Sequence, residues 1–332
     1  MSRLISLPIL FALLFTLILA GCQGNENKSN EPLEVSLRFD WVANMSYLGD
    51  VMALEETADS YGIKLRAEQA GFGVDPIKLV VTGTDDFGIA SFEQMLMANE
   101  KGADLVAIGI INDISPVVFL AKEEKKFSTP TDFEDKSVGI NPGGATEIVY
   151  RIFLKKHSID NRKVKEIPAD FDIKSFINGN YDIRLAFAYV EPVDLKTAGI
   201  PFKQLSPIEF GLKLPGRVYF TRRETIEKSP ELVQLFVNAV AKGWEMALMN
   251  KEKAIDYLKK FEPSIDTARE TQSFEIGRAY FSGFEGKVLS FDQKNLSSAA
   301  QELVQSGVLK SADFTRALNP SFIDRYHLSK DR

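Results

Sequence analysis

Between Asp40 and Gly49 the chain reads Asp-Trp-Val-Ala-Asn-Met-Ser-Tyr-Leu-Gly, placing a carboxylate, an indole, an amide and a phenol close together. That set suits gripping a flat polar molecule. Trp41 offers a face on which a ring can stack, worth about 0.5–1.5 kcal/mol beyond area burial; the alternative is an ordinary core tryptophan. Asn44 presents a donor and an acceptor side by side, as the edge of an amide or aminopyrimidine requires, unless it simply shapes a turn. Tyr47 can wall a ring and donate its hydroxyl, or pack as a core residue. Groups that catalysis or a metal would demand are scarce. His157 and His327 are the only histidines, with no HExxH pattern and no cysteine partner. There is no G-x-S-x-G elbow and no phosphate loop, and Gly71-Phe72-Gly73 lacks the third glycine of a dinucleotide fingerprint. His157 follows Lys155 and Lys156 at a helix end, where a cation suits the dipole. No catalytic residue, metal or cofactor is expected.

These residues need a frame to hold them. Leu33–Phe39 alternates apolar and polar like a strand, and Leu48–Tyr61 has helical spacing up to the Gly62 stop. Ile63–Ala67 reads as a strand, Pro76–Thr82 as a helix and Asp86–Ala90 as a strand. Ser91 stands at an N-cap position before a helix reaching Asn99, and Leu105–Ile111 is a buried strand. The alternation resumes with strands at Val138–Ile140, Val164–Ile167 and Ile183–Ala188, between helices at Thr146–Lys156 and Ile173–Asn178. Strand and helix in succession predict an α/β fold, a mixed and mainly parallel sheet covered on both faces. Ligands of such sheets bind beyond the carboxyl ends of the strands, where Asp40–Gly49 falls.

From Pro215 onward the pattern turns largely helical. Ser229-Pro230-Glu231 reads as a helix start with Ser229 as cap, and Ser290 with Gln293 as a capping box before the helix ending at Gly307. One α/β unit, a second, then a helical return implies two lobes: residues 33–113 with 214–332, and residues 114–213. The crossings are Asn112–Pro116 and Lys213–Gly216, where Pro or Gly separates apolar strands. No internal sequence repeat is visible.

With 332 residues, 45% apolar and 26% charged, the chain has ample core for two domains. Its formal charge of −6, without a basic run, argues against nucleic acid as a partner. Arg3, the apolar run Leu4–Leu19 and the small residues Ala20 and Gly21 read as a signal segment over residues 1–21, ending at Cys22. An uncleaved anchor is the alternative. Leu-Ala-Gly-Cys resembles the bacterial lipoprotein box, which implies acylation of Cys22, the chain's single cysteine. Residues 22–32 are polar and read as a flexible tether. The body would then lie outside the cytoplasmic membrane, held by one end.

The Asp40–Gly49 segment resembles the Asp-Trp-x-Pro-Asn-x-x-His-x-Gly opening of extracytoplasmic binding proteins that serve ABC importers for thiamine-pyrimidine precursors. These are similar in fold to nitrate, sulfonate and taurine binders, the type II periplasmic-binding class. Asp40, Trp41, Asn44 and Gly49 match, while Ala43 stands for Pro and Tyr47 for His. Asp86–Ala90 resembles the family's third-strand signature and Gly143–Glu147 its glycine-rich turn. Tyr189-Val190-Glu191-Pro192 resembles its Tyr-x-Asn-Glu-Pro segment without the Asn, and Pro230–Met249 its long return helix.

The resemblance implies ligand contacts from Asp40, Trp41, Asn44, Tyr47, Ser91, Gly144, Thr146, Tyr189 and Glu191. Tyr189 would wall the ring. Glu191 would accept from an exocyclic amine, a charge-assisted bond of about 1.5–3 kcal/mol, or remain a solvated surface acid. Gly144 and Thr146 would lend free N–H groups at a helix start, or only cap it. The expected ligand is a planar nitrogen heterocycle, a thiamine pyrimidine precursor first and a flavin-like ring second. Its partners would be a membrane permease and the lipid on Cys22, the protein itself a monomer. Fungal relatives that synthesise a thiamine pyrimidine carry a cysteine-rich motif missing here, which implies binding. Arg184 and Arg217 keep a sulfonate or nitrate binder open. An enzyme on this fold would have Asp40 and Glu191 as its carboxylate pair, and a receptor-feeding sensor is a further alternative.

Overall fold

The computed structural model describes residues 32–330 apart from 72, 170, 171 and 312. The predicted signal segment, Cys22 and the tether as far as Glu31 lie outside the described residues.

Two five-stranded sheets carry the molecule. The first has the order β2-β1-β3-β10-β4, built from β1 (Leu33–Arg38), β2 (Ile63–Glu68), β3 (Phe87–Ser91), β4 (Leu105–Ile110) and β10 (Arg217–Arg222). The second has the order β7-β6-β8-β5-β9, from β5 (Val117–Lys122), β6 (Ser137–Ile140), β7 (Lys165–Pro168), β8 (Ile183–Phe187) and β9 (Phe202–Leu205). In each sheet three strands run parallel, and the fourth joins antiparallel to both its neighbours. The chain leaves the first sheet after Ile110 and returns to it at Arg217.

Helices cover the sheets: α1 (Leu48–Met52), α2 (Pro76–Val81), α3 (Phe92–Glu100), α4 (Ala145–Lys156), α5 (Lys174–Ile177), α6 (Glu191–Thr197), α7 (Arg223–Lys228), α8 (Pro230–Met249), α9 (Lys251–Phe261), α10 (Thr267–Gly277), α11 (Gln293–Gln305) and α12 (Ser321–Lys330). All six residues of β4 and all five of β3 are buried, as strands covered on both faces must be. The fold is two-lobed α/β.

β10 corrects the expectation that the largely helical C-terminal third packs on a sheet already built. It lies between β3 and β4, buried over Arg217–Thr221, so the returning chain completes the first sheet before any helix forms. No repeat is visible in the sequence, yet the two sheets share a structural one. In the first sheet Asp86 Oδ2 accepts from Ser36 N and Oγ at 2.9 and 2.7 Å, while Ser36 Oγ accepts from Asp86 N. In the second, Asp182 and Ser137 make the same three bonds, at 3.0, 2.7 and 2.9 Å. Both clasps tie the first strand of a parallel trio to its third, β1 to β3 and β6 to β8. The residues around them differ, so the repeat is invisible to sequence.

The helix expected over Leu48–Tyr61 is broken into α1, a π-type turn at Ala53–Thr57 and a 3-10 turn at Asp59–Tyr61. α8 crosses there at close range. A Cβ on Gly243 would lie 2.3 Å from Gly49 O, and one on Gly49 would lie 2.2 Å from Trp244 Cδ2. Only two glycines let these backbones meet. Two expected caps are corrected. Ser229 makes no side-chain cap bond, because α7 runs up to Lys228 and Ser229 forms the break before Pro230. Asp292 caps α11 through Asn295 N at 2.9 Å, while Ser290 Oγ donates to Lys287 O at 2.6 Å.

Candidate functional site

Beyond β1 the chain turns sharply, and Asn44 makes the turn. Its Oδ1 accepts from Ser46 N at 2.9 Å and Ser46 Oγ at 2.6 Å, and its Nδ2 donates to Val42 O at 3.1 Å. Its amide serves the loop, so the turn alternative describes its bonds in this structure. The turn points Tyr47 inward, stacked on Phe39 with centroids 4.2 Å apart, its hydroxyl donating to Asp40 Oδ1 at 2.6 Å. Burial, and then Asp40, hold the Tyr47 hydroxyl well above the usual phenol range.

Arg217, the first residue of β10, joins these groups from the far side of the sequence. Nη1 donates to Asp40 Oδ1 at 3.3 Å, Nη2 to Ser46 O at 3.0 Å and Nε to Asn112 Oδ1 at 3.3 Å. Its guanidinium carbon lies 5.0 Å from the centroid of the Tyr47 ring. Asn112 in turn donates to Tyr280 O at 3.1 Å. One fork therefore ties the end of β1, the following turn and the first crossing together.

From the second sheet, the end of β8 brings Tyr189 to the same place. Its ring is buried, 5.4 Å from Phe281 and 5.8 Å from Tyr280, and 6.4 Å from Phe187 in a stacked arrangement. Burial raises the pKa of its hydroxyl, against the lowering pull of Arg217 and Ser46. Asp40, Tyr47 and Tyr189 thus converge on Arg217.

Glu191 opens α6 and turns back on its own loop. Oε2 accepts from Phe187 N at 2.9 Å and Oε1 from Arg184 Nη2 at 3.4 Å. Burial pushes its carboxyl up, with Arg184 pulling the other way. Arg184 is itself buried and donates to Tyr181 Oη at 3.0 Å. Trp41 lies partly buried beside Asp40, packed on the core.

Ser91 Oγ caps α3, accepting from Gln94 N at 3.3 Å and donating to Gln94 Oε1 at 3.0 Å. Gln94 Nε2 then reaches across to Gly143 O at 2.9 Å, joining the start of α3 to the turn before α4. Gly143 sits at φ +81, a left-handed position that favours glycine, and its N–H donates to Glu147 Oε2 at 2.6 Å. Gly144 is the N-cap of α4, and Thr146 is buried in its first turn. The predicted residues therefore gather in two places, Asp40, Tyr47 and Tyr189 around Arg217, and Ser91 facing Gly144 and Thr146 through Gln94. Among the described residues no group of three or more His, Cys, Asp or Glu is arranged to hold a metal ion.

Sequence reading passed over Gln94 and saw Arg217 only as a possible anion contact. A signal was present for the second: an arginine opening the otherwise apolar Val218-Tyr219-Phe220, just after Pro215-Gly216.

Residues 59–254, more than half of the chain, match the NMT1/THI5-like family. The chain belongs to that family. Among curated relatives of this NMT1/THI5-like chain is the formylaminopyrimidine-binding protein of Halalkalibacterium halodurans, 24% identical over 76% of this chain and 78% of the relative. Another is the 4-amino-5-hydroxymethyl-2-methylpyrimidine phosphate synthase of Legionella pneumophila, 22% identical over 75% and 80%. Among solved structures, the periplasmic sulfonate-binding protein of a putative sulfonate ABC transporter from Methylobacillus flagellatus superposes with a TM-score of 0.69 at 15% identity, covering 91% of this chain and 96% of that one. The NMT1/THI5-like chain therefore has the periplasmic-binding fold anticipated from its motifs.

Proposed function

We propose that this protein is a lipid-anchored, extracytoplasmic solute-binding protein that captures a pyrimidine of the thiamine-precursor type and presents it to an ABC permease. The observation that carries the reading is the convergence of Asp40, Tyr47 and Tyr189 on Arg217 where the two sheets meet. Asp40 Oδ1 takes both the Tyr47 hydroxyl and the arginine, while the side chain stays 24% exposed. Among the described residues Oδ2 has no hydrogen bond, and it is the acceptor that a ring amine would meet. Trp41 beside it supplies an aromatic face.

The anion alternative is disfavoured by the two arginines that would serve it. Arg217 spends its fork on Asp40, Ser46 and Asn112, and Arg184 is buried with Glu191 and Tyr181. A sulfonate would have to displace those partners. Residues 33–113 with 214–332, and 114–213, are the lobes that close on the ligand about the two crossings. The lipid on Cys22 would keep the body near its permease and raise its effective concentration.

The enzyme reading needs a nucleophile or a reactive carboxylate pair. Asp40 is tied to Arg217 and Glu191 to Arg184, which suits holding a ligand better than transforming it. Native mass spectrometry of the purified protein, followed by titration with formylaminopyrimidine, riboflavin and an alkanesulfonate, tests the proposal. Retention of the pyrimidine unchanged supports it; tighter sulfonate binding, or a chemically altered pyrimidine, overturns it. Trp41→Ala is expected to weaken pyrimidine binding severalfold while leaving the fold intact, and unchanged affinity would remove that residue from the site.

A further inference from the structure

The C-terminal helices bring a group of charges to the junction of the two sheets that the ligand site does not use. Glu270, in the first turn of α10, is 2% exposed, and its Oε2 accepts from Met45 N at 2.6 Å. Met45 begins the turn that carries Tyr47. The neighbouring Arg269 donates through Nη1 to Glu270 Oε1 at 2.6 Å. Its other edge faces α6, where Nε and Nη2 donate to Asp194 Oδ1 and Oδ2 at 2.7 and 3.2 Å. α6 begins at Glu191, two residues after Tyr189. The far end of α10 touches both loops as well, since a Cβ on Gly277 would lie 2.8 Å from Tyr189 Cβ and 2.9 Å from Met45 Cε.

We infer that α10 is a strap that sets the geometry of the ligand cleft, with Arg269 and Glu270 as positioning residues. The relay Asp194–Arg269–Glu270–Met45 N–H joins the loop bearing Tyr189 to the loop bearing Asp40 and Tyr47. A carboxylate held by both oxygens on a planar guanidinium fixes orientation as well as distance. Because α10 also packs on α9, it moves with the first sheet, and separating the lobes requires the Arg269–Asp194 pair to part. The pair is partly exposed, so it can break and re-form, whereas the Glu270 bond to Met45 is buried and persistent. This assignment rests on the pyrimidine-binding reading for its ligand measurement only.

The test uses the full chain in detergent. In the ligand-free protein, hydrogen exchange is followed in peptides covering the Asp40–Leu48 turn, the Tyr189–Thr197 segment and strands β2 and β7. Arg269→Met is expected to speed exchange in the first two together by about five- to tenfold, leaving β2 and β7 unchanged. Asp194→Asn should do the same, and the double variant should be no worse than Arg269→Met alone. Glu270→Ala should release the Asp40–Leu48 turn, while Glu270→Gln, which keeps an acceptor for Met45, should restore most of its protection. With formylaminopyrimidine as probe, Arg269→Met should raise the dissociation rate by about five- to tenfold with little change in association rate. Additive effects of the two single variants, or faster exchange confined to α10 or spread equally over β2 and β7, overturn the strap. Failure of the wild-type chain to bind the pyrimidine would instead overturn the proposed function, leaving the exchange result to decide the strap.

Discussion

Asp50 contributes a pH dependence of stability opposite in sign to that of ordinary acid denaturation. Its side chain is 0% exposed; one oxygen accepts from the Tyr219 hydroxyl, which itself accepts from Trp244 Nε1 at 2.8 Å. The other oxygen, Oδ2, is buried without a hydrogen-bond partner. Burial pushes this carboxyl from 3.8 up to about 7, although the Tyr219 bond and the charge of Arg217 pull it down. An acid whose folded pKa lies above its unfolded value holds a proton in the native state that the unfolded chain has already released. The contribution of Asp50 is therefore full below about pH 4 and is lost as pH rises through about 7. At about 1.4 kcal/mol per pH unit, the interval from pH 5 to 7 amounts to at most about 3 kcal/mol, and relaxation around the carboxylate places the effect within about 1–3 kcal/mol.

Asp50→Asn keeps the shape and the acceptor for Tyr219 but cannot ionise. Urea unfolding at about pH 5 and pH 8, followed by tryptophan fluorescence, should show the variant losing less stability with rising pH than the wild type, by about 1–3 kcal/mol. Some slope should survive, because burial also raises the Glu93 carboxyl to about 7. Wild-type and variant curves that run parallel in pH would refute the reasoning.

Gly49→Ala should cost about 1–3 kcal/mol and lower the melting temperature, because its Cβ would sit 2.2 Å from an indole held by Tyr219 and stacked 4.7 Å from Phe281; an unchanged melting curve would contradict the close crossing. Arg217→Lys replaces a three-way fork with a point charge that cannot hold Asp40, Ser46 O and Asn112 at once. It should destabilise the protein by about 2–4 kcal/mol in urea unfolding and weaken pyrimidine binding in calorimetry, and wild-type values in both would remove Arg217 from the centre of the site.

Local chemistry made much of the frame legible. Short buried strands such as Leu105–Ile110, the Ser91 cap of α3 and the proline start of α8 depend on neighbours within a few residues, so their pattern is written along the chain. Asp40, Tyr47 and Tyr189 could be named as candidates from motif spacing, because strand ends in α/β sheets lie where ligands bind. The use made of Asn44 and Glu191 could not. An amide bonds equally well to a ligand or to Ser46, and a carboxylate to an amine or to Arg184; which partner is nearest depends on the folded path.

The sequence alone determined the alternation of elements, the family motifs and the residue types available to a binding site, since each rests on periodicity or short-range geometry. Tertiary structure alone decided that β10 enters the first sheet between β3 and β4, that Arg217 meets Asp40 from 177 residues away, and that α10 bonds both to Met45 in the turn after β1 and to Asp194 on α6. Those pairings bring together groups far apart along the chain, and no local pattern encodes such a distance.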